Sequence, residues 1–70
     1  MNFAVIYEKT NTGYSAYVPD LPGCVAAGAT LDDTAELIRG AIELHLETMR
    51  DDGDSTPEPT TIAGCVAVPV

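Results

Sequence analysis

The sequence predicts an α+β fold of two layers in the order β-β-β-α-β, a mostly antiparallel sheet covered by one long helix. Three observations predict it. Runs of β-branched and aromatic residues flank the turn-forming segment Thr10-Asn11-Thr12-Gly13. From Leu31 to Arg50 or Asp51, apolar residues recur at helical spacing. Beyond Pro57-Glu58-Pro59, the stretch Thr60 to Val68 is again rich in β-branched residues.

The elements follow in order. Asn2 to Lys9 alternates Phe3, Val5 and Tyr7 with Ala4, Ile6 and Glu8, so the first strand is apolar on both faces near its start. Asn and Gly tolerate positive φ, so the turn should fold this strand back on a second, Tyr14 to Val18, as a hairpin. Pro19-Asp20-Leu21-Pro22-Gly23 interrupts the ladder, because its prolines lack a donor N–H and restrict the residues before them. Cys24 to Ala29 is extended enough for a third strand, with Gly28 a bulge or a point of close approach.

Thr30 has the chemistry of a helix N-cap, and Asp32, Asp33 and Glu36 place negative charge near the positive end of the helix dipole. At 100° per residue, Leu31, Ala35, Ile38, Ile42, Leu46 and Met49 form one stripe for packing on the sheet. Leu37, Ala41 and Leu44 widen the apolar arc beyond what one small sheet covers, and are assigned to an oligomer interface. Asp51-Asp52-Gly53-Asp54-Ser55 ends the helix, and Thr60 to Val68 is expected to return to the sheet as a fourth strand. One domain over residues 1–70 is expected, with no separate second unit.

Charge narrows the functions. Three Lys and Arg stand against eleven Asp and Glu, a formal net charge of -8. Phosphate neutralisation needs Lys and Arg, so direct nucleic-acid binding is not expected, and a basic protein partner is. Anionic membranes are disfavoured on the same ground, and no segment approaches the roughly 20 apolar residues that span a bilayer. Met1 to Tyr7 has no basic n-region or long apolar stretch, so a cytoplasmic protein is expected. A compact chain of this mass exposes about 4,200 Å². So small a fold is near break-even alone, and its expected extra support is self-association, as a dimer or higher homo-oligomer, or a partner protein.

Few residues offer chemistry. Cys24 and Cys65 lie far apart without metal-ligand spacing and read as small buried apolar residues rather than a disulfide or reactive thiol. His45 lies beside the apolar stripe and reads as packed or at an interface rather than as a general base. Glu43 and Glu47 share a helix face with Arg39 and Arg50, as a solvated, partly ion-paired face or as a carboxylate pair. Asp20 either shapes its turn through backbone hydrogen bonds or meets a partner. Tyr14 and Tyr17 fall on different faces, so one joins the core and the other, with an exposed Leu21, can anchor a protein interface. No catalytic residue, metal or cofactor is assigned.

The runs Gly13-Tyr14-Ser15-Ala16-Tyr17-Val18-Pro19-Asp20-Leu21-Pro22-Gly23-Cys24-Val25, then Ala27 to Thr34, then Ile42-Glu43-Leu44-His45-Leu46, resemble the HicB-like antitoxin family over nearly the whole chain. The resemblance implies a partial, catalytically inactive RNase H-like unit of β-β-β-α-β order. It also implies an antitoxin that covers the active site of a HicA-like toxin, a small basic protein that cleaves mRNA. Many members of the family continue into a DNA-binding segment, and none is assigned here. The expected partner-contact residues are Tyr17, Asp20, Leu21 and Pro22 at the loop, with Glu43 and Glu47 on the helix. The alternatives are an orphan oligomeric scaffold or small-ligand module without a toxin and, behind it, a metal-dependent nuclease remnant centred on Asp20.

Overall fold

The Thr10 amide donates to the Gly13 carbonyl at 2.8 Å, closing the first turn and aligning the residues on either side. The computed structural model describes all residues, Met1–Val70. Its elements are β1 (Ile6–Lys9), β2 (Tyr14–Tyr17), β3 (Val25–Gly28) and α1 (Leu31–Asp51). The sheet order is β1-β2-β3 with both pairings antiparallel. Three strands and the covering helix thus agree with the expectation, while each paired strand is shorter than the run of strand-forming residues that contains it.

Register decides which side chains meet the helix. Tyr7, Ala16 and Ala26 form one row across the sheet, and Lys9, Tyr14 and Gly28 form the next row on the same face. This is the helix side, since Ala16 is buried and Gly28 abuts α1. The opposite face carries Ile6, Tyr17 and Val25 in one row and Glu8, Ser15 and Ala27 in another. Glu8, Tyr17, Val25 and Ala27 on it are exposed, and Ile6 and Ser15 half-buried.

The helix starts where Thr30 Oγ1 accepts the Asp33 amide at 3.0 Å. It ends at Gly53, whose φ of +78° suits a residue without a Cβ and whose amide donates to the Arg50 carbonyl. Between these ends it lies over β3 and β2. Ile38 packs into the buried cluster of Ala16, Val18, Leu21 and Cys24, with Ile42 and Leu46 half-buried beside it. Leu31, at the start of the same stripe, remains 46% exposed because it precedes the cover of the sheet.

Gly28 is a close-approach point. A Cβ there would stand 2.8 Å from Thr34 Oγ1 and 3.0 Å from the Thr34 amide nitrogen. Thr34 is fully buried, and its hydroxyl donates to the Thr30 carbonyl at 2.8 Å, so no polar atom is stranded at this junction.

The predicted fourth strand does not join the sheet. Asp20 captures Thr60 and Thr61, and beyond them the chain runs as an unpaired arm with Ile62 93%, Val66 86% and Val68 67% exposed. Strand propensity expresses fit to a pleated, half-buried surface and does not itself supply the neighbouring strand. The arm stretches the molecule to 48 × 25 × 16 Å. Its radius of gyration, 13.7 Å, exceeds the about 11 Å of a compact chain of this length.

Candidate docking surfaces

The loop between β2 and β3 is held by its own backbone. The Val18 amide donates to the Cys24 carbonyl, Leu21 to Val18 and Cys24 to Leu21, at 3.0 to 3.2 Å. Gly23 turns at φ +84°. This geometry drives Leu21 inward to 1% exposure, so the expectation of an exposed anchor at Leu21 is corrected: it is a core residue and offers no side-chain contact. A leucine beside two prolines in a loop looks solvent-facing in sequence, and only the inward turn of the chain reverses that. Pro22 remains on the surface.

Asp20 neither ligates anything nor faces outward unpaired. Its Oδ2 accepts the amides of Thr60 and Thr61, both at 3.0 Å, and its Oδ1 accepts their hydroxyls at 3.1 and 2.8 Å. The Thr61 amide, with the other three donors, lowers the carboxyl pKa below its usual 3.8 by favouring the ionised form. Asp20 does shape structure through backbone hydrogen bonds, but forty positions along the chain rather than within its own turn. The doublet Thr60-Thr61 after Pro59, with its paired N–H and O–H donors, was the available signal.

The remaining expected contact residues divide between two surfaces. Tyr17, 42% exposed, is centred on the open face of the sheet between Ile6 and Val25, the latter 64% exposed. An aromatic flanked by aliphatic residues is the composition of an interface anchor. Glu43 and Glu47 are exposed on α1, where Glu43 Oε1 meets Arg39 Nε at 3.4 Å in an ion pair some 70% open to solvent. Such a pair adds little stability and leaves the face acidic. The structure does not bring these carboxylates together with Tyr17 or Asp20 through any hydrogen bond or ion pair.

The second surface is a groove of about 300 Å³ between the start of β3 and the later half of α1, lined by Val25, Ala41, Leu44, His45 and Met49 among others. Leu44, 64% exposed, lines it, and Ala41 both lines it and leans on the core, while Leu37, 51% exposed, lies earlier on α1 and outside its lining. His45 is half-buried in the groove wall, with no acid or nucleophile hydrogen-bonded to it. Cys24 is buried, and desolvation pushes its thiol pKa up. Cys65 is corrected from buried to exposed, since it sits on the arm. No group of three His, Cys, Asp or Glu side chains converges on a point that would hold a metal ion, and no helix is long and apolar enough to cross a membrane.

These features define a small acidic α+β protein with exposed apolar residues on two surfaces, the Tyr17 face of the sheet and the groove beside α1. The chain belongs to the HicB-like antitoxin family of bacterial toxin-antitoxin systems, whose model matches residues 3–70. It is 39% identical over 62 residues to an uncharacterized 14.9 kDa protein from the rep-hol intergenic region of Haemophilus phage HP1, covering 89% of this chain and 47% of that one. The chain therefore spans about half the length of that relative. A UPF0150 protein of Archaeoglobus fulgidus is 42% identical over 57 residues, covering 77% of this chain and 83% of its own. Among solved structures, a chain of a HicA3 and HicB3 toxin-antitoxin complex superposes with a TM-score of 0.73 at 30% identity, covering 86% of this chain and 70% of that one.

Proposed function

We propose that this protein is the antitoxin of a HicA-type pair, binding a small basic mRNA-cleaving toxin and covering its active site without catalysis of its own. The observation that carries the reading is the family match over residues 3–70, joined to the structural likeness to a chain of a toxin-antitoxin complex. The charge of -8 supports it, because opposite fields steer association with a basic partner and disfavour acidic ones. The open sheet face around Tyr17, with Pro22 of the β2–β3 loop, is the apolar anchor of this contact, while Glu43 and Glu47, on the helix at the other side of the sheet, add to the acidic field that steers the toxin. The stripe of Leu37, Ala41 and Leu44 serves self-association, and the pair acts in the cytoplasm.

The test is titration of the purified chain with the basic protein encoded beside it, at several salt concentrations, alongside an RNA-cleavage assay of that protein. Expected is a defined complex, loss of cleavage, and affinity that falls as salt rises. Tyr17→Ala should weaken binding by about 1–2 kcal/mol or more if the tyrosine is a central anchor. Cleavage that continues at saturating antitoxin would sink the reading and favour a scaffold without a toxin.

A further inference from the structure

We infer that the carboxy-terminal arm is an exchanged strand: residues Ile62–Val68 of one copy add to the outer edge of β3 in a second copy and place alternate side chains in the groove beside α1. This goes beyond toxin binding and gives the self-association reading, on which it rests, a specific occupant.

Four observations converge. The arm is an apolar, β-branched segment without a charged side chain, standing clear of its own sheet with Ile62 and Val66 nine-tenths exposed. The β3 edge is Val25-Ala26-Ala27-Gly28, which has neither charge nor proline to discourage pairing, whereas the β1 edge carries Glu8 and Lys9. The groove opens at the start of that same edge, between Gly23-Cys24-Val25 and the later half of α1, where the first helix-side residues of an added strand would fall. Ile62, Val66 and Val68 share one side of an extended arm, and the small Ala63, Cys65 and Ala67 share the other, so the larger set fills the groove.

Area fits a second copy. The chain exposes 5241 Å², about 1,000 Å² more than a compact protein of its mass. Reciprocal burial of two such arms against two edges exceeds the roughly 1,600 Å² of a standard interface. The exchange is isologous, arm to groove and groove to arm, and closes as a dimer. Thr60 and Thr61, fixed by Asp20, set where each arm leaves its body.

Light scattering and sedimentation of the full chain, from micromolar to millimolar, test the inference. Expected is a dimer that tightens as salt screens the mutual repulsion of two chains of charge -8, the reverse of toxin binding. Val66→Lys on the arm and Leu44→Lys in the groove should each raise the dimer dissociation constant about 100-fold or more. Both positions are exposed in the monomer, so the helical circular dichroism signal should persist. Mixing the two variants should restore dimerisation in part, because a mixed dimer keeps one intact arm and groove. A chain that stays monomeric at millimolar concentration overturns the exchange. A dimer lost in Leu44→Lys but kept in Val66→Lys also overturns it, while leaving self-association through Leu37, Ala41 and Leu44 standing. Absence of complementation in the mixture overturns it as well.

Discussion

Gly28→Ala probes the junction between β3 and α1. The backbone at Gly28 is not in the positive-φ region, which in this chain holds only Gly23 and Gly53, so an alanine there meets no conformational penalty. The cost is steric. The new methyl would stand 2.8 Å from Thr34 Oγ1, 3.0 Å from the Thr34 nitrogen and 3.3 Å from the Asp33 carbonyl carbon. Thr34 cannot rotate away freely, because its hydroxyl is engaged with the Thr30 carbonyl at 2.8 Å and its side chain is fully enclosed. Overpacking of this kind costs about 1–3 kcal/mol, and loss of glycine entropy from the unfolded chain returns about 0.4–1 kcal/mol. The net is a destabilisation of about 1–2 kcal/mol, which lowers Tm by roughly 5–15 °C in a domain of this size. Thermal unfolding followed by circular dichroism at one fixed protein concentration measures it. In a Thr34→Ala background the penalty should shrink, because the nearest of the three atoms is gone. A Tm for Gly28→Ala equal to or above that of the parent would refute the close approach of helix and sheet.

Three further outcomes are expected. Ile38→Ala removes the helix's one fully buried aliphatic side chain and should cost about 2–5 kcal/mol, a large fraction of the stability of so small a domain, readable in urea denaturation; an unchanged midpoint would displace the helix from the core. The lowered pKa of Asp20 means that its hold on the arm is complete above pH 3.8 and is lost as pH falls below that through the folded-state value. The Thr60 and Thr61 amide resonances should therefore move in that acidic range and be shifted at neutral pH in Asp20→Asn, whereas resonances indifferent to both would dissolve the clamp. Cys65 should react quickly with an aromatic disulfide reagent at pH 8 and Cys24 only on unfolding, since burial keeps its thiol neutral and shielded; two fast thiols per native chain would contradict the packing of the β2–β3 loop.

Local chemistry made the hairpin and the helix legible. The polar segment Thr10 to Gly13 marks the reversal, although neither Asn11 nor Gly13 uses the positive φ open to it, Thr30 caps the helix, Gly53 ends it, and the spacing of Ile38, Ile42 and Leu46 finds the buried face. Each of these signals acts over a few residues, within the reach of a single hydrogen bond or helical turn. The residues of the docking surfaces were legible only in part. Helical periodicity puts Leu44 outside the sheet-packing stripe, and it is exposed, whereas strand periodicity separates Tyr14 from Tyr17 without saying which faces out, and the register puts Tyr17 on the open face. Leu21 was misplaced because its burial depends on a loop turning its side chain under the sheet, which no periodicity records.

The carboxy-terminal segment shows the same division at longer range. Residue type alone marks Thr60 to Val68 as strand-forming, and its composition does suit an extended chain. Whether a strand enters a sheet depends on an edge being within reach, and here the bonds from Thr60 and Thr61 to Asp20 tie down the start of the segment while the rest stands away from the body. Composition, periodicity and capping therefore settled the three strands, the helix, the acidic field and the helix's inward face, because these are set by neighbours in sequence. The tertiary structure alone decided that Leu21 is core, that Asp20 is a clamp, that Cys65 is exposed and that the last segment is an arm, because each is a relation between groups the chain brings together only on folding.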